Sequence, residues 1–290
     1  MTLAAAFLLA GCQLDREALV LPVESGWKVE VAAGPADGFA SPDGLMWRDG
    51  ELLVADEGGS AVRVWTPGSR PRTLADQRAG LASPEDLATD AEGNLYFSDD
   101  TRGGIWRTDG KGGVTTVAAA ARGLPSTEAI AMAPSGELLA GDALGHRVMK
   151  VARDGRVSVF LGPERGISKP ESLAFDSGGN LYIADNQDDV LYLLTRDGKL
   201  HRTLAGQPGF SPESLHYAQG ALFITDSRHG KLFRYTPEDG LQVIALFGGA
   251  LRNVQGVTSD GRGTFYVSVQ SDLKAQKGYI LRLYRKTGSA

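Results

Sequence analysis

Hydrophobic and polar residues alternate along most of the chain in short runs separated by glycine-centred turns. Residues 181–184 form one such run after the turn at 177–180, and a second run at 190–194 precedes the turn at 196–199. Alternation with a period of two predicts β-strands, and glycine between two such runs predicts hairpins. No helical periodicity of useful length is present, so the sequence predicts an all-β fold.

This pattern recurs six times. Each copy opens with an acidic or amide residue, and consecutive copies start 42 or 43 residues apart, at Asp43, Glu85, Glu128, Glu171, Glu213 and Gln255. A second marker follows 13 or 14 residues later, at Asp56, Asp99, Asp142, Asp185 and Asp226, with Val269 in the last copy. Four strands in a repeat of this length are typical of a propeller blade.

The two ends of the chain complete the ring. The last copy contains three predicted strands, around 254–258, 265–269 and 279–284, and the missing fourth strand is supplied by residues 27–31. Pairing the first strand with the last blade removes open edges. We therefore predict a single six-bladed β-propeller over residues 26–286, followed by a tail at 287–290.

The N-terminal residues differ from the rest. An apolar run over residues 3–10, too short to span a bilayer, leads into Gly11 and Cys12, the only cysteine. Leu9-Ala-Gly-Cys12 resembles a bacterial lipobox, although no Lys or Arg precedes the apolar run. We expect a lipoprotein signal peptide at 1–11, lipidation of Cys12 and a linker at 12–25. Gln13 favours the periplasmic face of the outer membrane in a Gram-negative cell.

Composition narrows the choice of partners. The chain is 42% hydrophobic and 22% charged, with a formal net charge of -5 and both signs scattered along it. No basic stripe is present that could follow a phosphate backbone, which argues against nucleic acid as a partner. We expect a monomer that meets the membrane only through its lipid anchor.

The first markers predict a charged site. In each copy the first and second markers lie at the same end of a hairpin, so sixfold repetition places the acidic first markers around one mouth of the channel. Two carboxylates about 6 Å apart repel by roughly 3 kcal/mol at an effective dielectric constant near 20. The ring must therefore protonate, hydrate or bind a cation, and oxygen ligands favour Ca²⁺ and then Mg²⁺ over Zn²⁺.

Short motifs within the copies suggest a family. Residues 180–185 and 141–148 resemble NHL repeats, and the strand start Ser41-Pro-Asp-Gly-Leu45 resembles the gluconolactonase and regucalcin-like family. The resemblance covers about residues 26–286 and implies a six-bladed propeller that holds one divalent ion at the channel floor.

Carried onto this chain, the resemblance implies a metal site at Asp43, Glu128, Glu171 and Glu213. Such an ion would polarise a lactone or ester carbonyl or a phosphoryl oxygen, and Glu213 would be the general base. Glu128 and Glu171 stand where the family normally has Asn. An alternative is that the ring is a scaffold feature in which each Glu caps backbone amides of a neighbouring blade.

The remaining polar residues have different expectations. The second markers are expected to accept hydrogen bonds from their own turns. His146 and His229 occupy such turns, and His201 falls on an outer strand that we expect to be exposed. His216 lies on an innermost strand three residues after Glu213, where it is either an acid or base facing the channel or a packed ring with a satisfied nitrogen.

Other catalytic motifs are missing: the sequence has no Gly-x-Ser-x-Gly elbow, Walker loop, dinucleotide fingerprint or cysteine nucleophile. Two classes of function remain. One is a metal-dependent hydrolase of small lactones or related esters at the cell envelope, and the other is a noncatalytic propeller that binds a protein, peptide or glycan.

Overall fold

A computed structural model describes residues 19–22, 26–111, 113–272 and 277–285. Cys12, and with it the predicted signal peptide and lipidation site, lies outside these residues. The described chain forms six antiparallel sheets arranged as the blades of a β-propeller, which confirms the predicted fold class. In blades 1 to 5 the first strand is innermost and the strands follow in chain order toward the rim.

The strands are numbered in chain order. Blade 1 contains β3 (Pro42–Arg48), β4 (Glu51–Asp56), β5 (Ala61–Trp65) and β6 (Arg72–Ala75). Blade 2 contains β7 (Pro84–Thr89), β8 (Leu95–Asp99), β9 (Gly104–Thr108) and β10 (Val114–Ala119). Blade 3 contains β11 (Thr127–Met132), β12 (Leu138–Asp142), β13 (Arg147–Val151) and β14 (Val157–Leu161).

The second half of the ring repeats this order. Blade 4 contains β15 (Pro170–Phe175), β16 (Leu181–Asp185), β17 (Val190–Leu194) and β18 (Leu200–Ala205). Blade 5 contains β19 (Leu215–Ala218), β20 (Ala221–Asp226), β21 (Lys231–Thr236), β22 (Gly240–Gly248) and also β1 (Leu19–Pro22). Blade 6 contains β23 (Val254–Ser259), β24 (Thr264–Asp272), β25 (Lys277–Arg285) and β2 (Trp27–Ala33).

Short 3-10 turns lie in the connections, at Pro35–Asp37, Glu57–Gly59, Gln77–Ala79, Ala120–Arg122, Pro163–Arg165 and Gly249–Leu251. In the described part of the chain no helix has the length and apolar character needed to cross a bilayer.

The N-terminal segment contributes two outer strands. Strand β2 pairs antiparallel with β25, from Trp27 opposite Arg285 to Ala33 opposite Ile280, so the predicted closure of the ring is confirmed. Strand β1 pairs with β22 as a fifth strand of blade 5, which the sequence analysis did not anticipate. The chain entering the propeller is therefore held on two neighbouring blades.

The hydrophobic core is divided among the six interfaces between blades. Buried residues of β4, β5 and β8 pack together between blades 1 and 2, and equivalent clusters lie at each following interface. The sixth cluster joins Tyr266 and Ile280 of blade 6 to Leu52 and Val54 of blade 1. Because each strand face packs on the next blade, burial of apolar surface stabilises ring closure as well as the single blades.

Candidate metal site at the channel mouth

An irregularity in the innermost hairpin positions each acidic first marker. In blade 2 Pro84 pairs with Asp99, and regular pairing resumes with Leu87 opposite Phe97, so Glu85 and Asp86 lie in a bulge. The same shift occurs at the first marker of blades 1, 3, 4 and 6. A β-bulge turns a side chain out of the regular alternation, and here the turned side chains include the acidic markers.

Neighbouring strand starts approach one another closely. A Cβ added to Gly44 would lie 2.1 Å from the carbonyl oxygen of Glu85, and one added to Gly256 would lie 2.3 Å from that of Asp43. Between blades 2 and 3 a hydroxyl group joins the neighbouring strands, where Ser98 donates to the carbonyl of Glu128 at 3.0 Å. Only glycine fits at Gly44 and Gly256 without displacing backbone.

The carboxyl groups surround one small cavity. It has a volume of about 30 Å³ and is lined by Asp43, Gly44, Glu85, Asp86, Glu128, Glu171, Ser172, Glu213 and Ser214. All four predicted metal ligands therefore line the same cavity. A space of this size accommodates a water molecule or a single ion but no organic substrate.

Two of the predicted ligands are held by neutral donors. Gln270 donates to Asp43 Oδ2 at 3.0 Å and to Glu57 Oε2 at 2.8 Å. Asn186 and Ser227 both donate to Oε2 of Glu213, the former at 3.2 Å. Because both donors use one oxygen of Glu213, the other oxygen keeps its lone pairs for a cation or a water molecule.

The other two predicted ligands share a cation that the sequence analysis did not identify. Nζ of Lys169 lies 2.8 Å from Oε2 of Glu171 and 3.3 Å from Oε1 of Glu128. Oε2 of Glu171 has no hydrogen bond of good geometry in spite of this short ion pair. The carboxyl groups of the first markers thus line one cavity, and the ammonium group of Lys169 compensates part of their negative charge.

The pKa values of the ring reflect burial and mutual repulsion. Burial and the charge of Glu213 hold the pKa of Asp43 and of Glu171 well above the ordinary range. Burial and the charge of Asp43 do the same for Glu85. Burial raises the pKa of Glu128 although Lys169 opposes the shift. Burial raises the pKa of Asp86 to about 6.

A close group of three carboxyl groups lies on one side of the cavity. One oxygen from each of Glu85, Asp100 and Glu128 lies within 4.8 Å of the others, and all three side chains are half-buried. Hard cations prefer oxygen ligands, so the carboxylate oxygens around the mouth fit Ca²⁺ or Mg²⁺. Glu85 and Asp100 were not among the predicted ligands.

The scaffold alternative is realised by a neighbouring residue. Asp86 accepts a hydrogen bond from the amide of Ile130 in the next blade at 2.9 Å. Among the described residues, the carboxylates of Asp43, Glu85, Glu128, Glu171 and Glu213 accept their hydrogen bonds from side chains. An amide of the next blade is therefore capped by the residue after the first marker, by Asp86 in blade 2 and by Ser172 in blade 4, which accepts from Leu215 at 3.0 Å.

The second markers are structural, as expected. Asp99 is fully buried and accepts hydrogen bonds from the amides of Ala82 at 2.7 Å, Ser83 at 3.0 Å and Arg102 at 2.8 Å. Asp56, Asp142, Asp185 and Asp226 are equally buried and accept comparable bonds from turns or from the loop preceding their blade.

The histidines have defined contacts. His146 bonds the carbonyl of Ser168, His229 contacts Asp226, and His201 is exposed as expected. Nε2 of His216 lies 2.9 Å from Oγ of Ser259, and burial lowers the pKa of His216 to about 4. His216 is not among the residues that line the acidic cavity, so its contacts match the packed alternative, and its catalytic role stays a prediction.

The repeat contains a signal for the polar residues that were missed. The residue directly after each second marker is Glu57, Asp100, Ala143, Asn186, Ser227 or Gln270. Five of these six contact the acidic ring or one another. The position directly after each second marker therefore identifies the polar residues that surround the acidic ring.

A larger cavity lies elsewhere. It has a volume of about 460 Å³, is formed between blades 2 and 3, and includes Tyr96, Arg107 and Arg153 in its lining. Asp90 in this lining follows the end of β7, whereas Glu85 lies near its start. The large cavity therefore opens at the other end of the hairpin, away from the acidic mouth.

These features define a six-bladed propeller with an acidic oxygen-donor site at one mouth of its channel. Residues 73–108 match the model of a protein family, the N-terminal region of strictosidine synthase-like proteins. Among curated proteins, none matches this chain by sequence.

Solved structures share the fold over nearly the whole chain. A gluconolactonase from Xanthomonas campestris is 16% identical, with a TM-score of 0.73 over 97% of this chain and 98% of that one. A luciferin-regenerating enzyme is 14% identical, with a TM-score of 0.70 over 90% and 96%. Virginiamycin B lyase from Staphylococcus aureus is 16% identical, with a TM-score of 0.66 over 89% and 99%. The resemblance to gluconolactonase-like propellers is thus confirmed in the fold.

Proposed function

We propose that this protein is a divalent-metal-dependent hydrolase of small lactones or related esters, similar to gluconolactonases, with Ca²⁺ as the preferred ion and Mg²⁺ as the alternative. The observation that carries the proposal is the convergence of Asp43, Glu128, Glu171 and Glu213 on one ion-sized cavity. The shared fold of a gluconolactonase supports it, although fold alone does not determine chemistry.

In this proposal the four carboxylates hold the ion, and Gln270, Asn186 and Ser227 orient two of them. When bound, the ion supplies Lewis acidity for an ester carbonyl. Glu213 would also accept the proton of the attacking water, the role that the resemblance implies for it. The substrate occupies the open mouth above the cavity, because the cavity itself admits only an ion or a water molecule.

The proposed location is the cell envelope, with Cys12 as the lipid anchor. Seven residues of chain lead from Cys12 to Leu19 at the start of β1, and an extended chain spans at most about 3.6 Å per residue. The edge of blade 5 would then lie within about 25 Å of the acylated cysteine. Mass spectrometry of the mature N-terminus tests the anchor.

Metal content is the first test. Elemental analysis of the purified mature protein should find about one Ca²⁺ or Mg²⁺ per chain. Calcium should raise the thermal midpoint of the wild type and raise it less in Glu171→Gln, which removes one ligand charge. A protein without metal and without a calcium-dependent shift would exclude the hydrolase.

Activity is the second test. In an assay of aldonolactones and aryl esters, Glu213→Gln should lower kcat by about 100-fold or more, as expected for loss of a general base. The exposed Glu238→Gln is the matched control and should retain wild-type kcat. Chelation should abolish turnover, and added calcium should restore it.

The alternative, a noncatalytic NHL-type propeller that binds a protein, peptide or glycan, has one specific observation in its favour. The 460 Å³ cavity between blades 2 and 3 is of ligand size, and Tyr96, Arg107 and Arg153 suit a polar ligand. Loss of glycan or peptide binding in Arg107→Ala, combined with no lactone hydrolysis by the wild type, would favour this function.

A further inference from the structure

Lys169 is an exception to the internal repeat at the place where the repeat builds the acidic mouth. It stands two residues before the first marker of blade 4. The equivalent position in the other blades is occupied by Ser41, Ser83, Ser126, Ser211 and Asn253. Five small neutral residues and one lysine at equivalent sites distinguish blade 4 from the rest of the ring.

The neutral residue of another blade shows what this position ordinarily does. The hydroxyl of Ser83 lies 3.3 Å from Glu85 and 3.2 Å from Glu57 and donates its one proton to either of them, so it adds a hydrogen bond to the mouth but no charge. Lys169 instead places an ammonium group on Glu171 and Glu128, at 2.8 and 3.3 Å. Blade 4 thus supplies a positive charge where blade 2 supplies a hydroxyl.

The backbone around Lys169 is fixed while its side chain has room to move. The amides of Ser168 and Lys169 donate to the buried Asp185 at 2.6 and 3.1 Å. The side chain of Lys169 is 32% exposed, and its four-carbon stem is flexible. The ammonium group can therefore leave the two carboxylates for water without opening the fold.

A divalent ion and this ammonium group need the same oxygens. Calcium binds carboxylate oxygens at about 2.3–2.6 Å, and Lys169 lies within ion-pair distance of two of the four proposed ligands. Repulsion between two cations on shared oxygens prevents both from staying. Lys169 donates a hydrogen bond to Oε1 of Glu171 at 3.1 Å, while Oε2 has no hydrogen bond of good geometry and keeps its lone pairs for a cation.

We propose that Lys169 is a built-in counter-ion that competes with the divalent cation for Glu128 and Glu171 and thereby sets the cation affinity of the mouth. This inference rests on the proposed metal site and adds its regulation. In the metal-free protein Lys169 compensates the ring. Cation binding displaces its side chain, so the wild type binds calcium more weakly than its carboxylates alone would.

Lys169→Ser tests the proposal, because it gives blade 4 the residue that four other blades carry. By calorimetry, its dissociation constant for Ca²⁺ should be at least about tenfold lower than that of the wild type. Its metal-free thermal midpoint should fall, while the rise on adding calcium should become larger. A purely structural lysine would lower the metal-free and calcium-loaded midpoints alike.

Two control variants accompany it. Lys169→Arg keeps the charge and should bind calcium within about threefold of the wild type. Lys150→Ser removes a lysine that pairs with Glu137 on the outside of blade 3, at 3.1 Å, and should leave calcium affinity unchanged.

The outcomes separate this inference from the proposed function. If the wild type binds calcium and Lys169→Ser binds it equally or more weakly, the competition is refuted and the metal site stands. Binding by Lys169→Ser alone would support the competition and count against a metal-dependent wild type. If neither protein binds calcium or magnesium, both proposals fail.

Discussion

The two acidic rings of this propeller are built by the same repeat from the same class of residue, yet their surroundings differ. Asp99, in the ring of second markers, is fully buried and accepts three backbone hydrogen bonds. Glu85, in the ring of first markers, receives one hydroxyl group and faces other carboxylates across a cavity. A repeated acidic residue is thus structural when backbone amides surround it, and available for a ligand when they do not.

The largest effect is expected from a substitution in the ring of second markers. Asp99→Asn should lower the free energy of unfolding by about 3 kcal/mol, because buried amides lose a charged acceptor and face an amide group. Glu85→Gln, the isosteric change in the same blade, should leave the metal-free protein equally stable or more stable, because it removes repulsion. Urea denaturation of both variants measures the contrast, and an equal loss in both would contradict the distinction between the rings.

A smaller effect concerns His216, whose pKa burial lowers to about 4. Between the ordinary histidine pKa of about 6.5 and a pH of about 4, His216 is protonated in the unfolded chain but not in the folded protein. The free energy of unfolding therefore falls as the pH drops through this range. The loss is at most about 3 kcal/mol.

His216→Gln, which keeps a partner for Ser259, should remove this part of the pH dependence. Exposed His201→Gln should not. Identical pH profiles for the wild type and His216→Gln would show that the imidazole of His216 has the same pKa in the folded protein as in the unfolded chain. A loss of kcat in His216→Gln at unchanged stability would instead revive the catalytic role.

A third effect concerns the pH dependence of stability that arises from the ring of first markers. The raised pKa values of Asp43, Glu85 and Glu171 mean that the folded protein holds protons more tightly than the unfolded chain. Stability should therefore fall as the pH rises above about 4 and through the raised pKa values of these carboxyl groups.

Measured in His216→Gln, where the opposite histidine effect is absent, thermal midpoints of the metal-free protein should decrease between pH 5 and 8. Saturating calcium should abolish the decrease. Midpoints that rise over this range in the metal-free protein would show that the ring is already fully compensated.

The sequence was sufficient for the architecture because each blade carries two markers in a fixed register, and the closing strand at residues 27–31 alternates like the others. Strand β1 was not predicted, since four residues at 19–22 carry no repeat marker and pair only through the edge of blade 5. Strand β2 has an equally distant partner, but the last blade lacked a fourth strand and so indicated it, whereas β1 is a fifth strand that no blade required.

The site was predicted less completely than the fold. The four carboxylates were identified because they recur. Asp100 also stands at a repeated position, directly after a second marker, whereas Asp86 takes its role from a bulge that a repeat alignment does not resolve. Lys169 departs from the repeat, and only the structure shows that this departure points at Glu128 and Glu171. Exceptions to a repeat are thus as informative about a site as its regular positions.

The most direct measurement is anomalous diffraction from a crystal of this protein grown with calcium. We predict one anomalous peak inside the cavity lined by Asp43, Glu128, Glu171 and Glu213, with the ammonium group of Lys169 moved away from it. A mouth with no peak, in which Lys169 still pairs with Glu128 and Glu171 at millimolar calcium, would contradict both the proposed metal site and the displacement of Lys169.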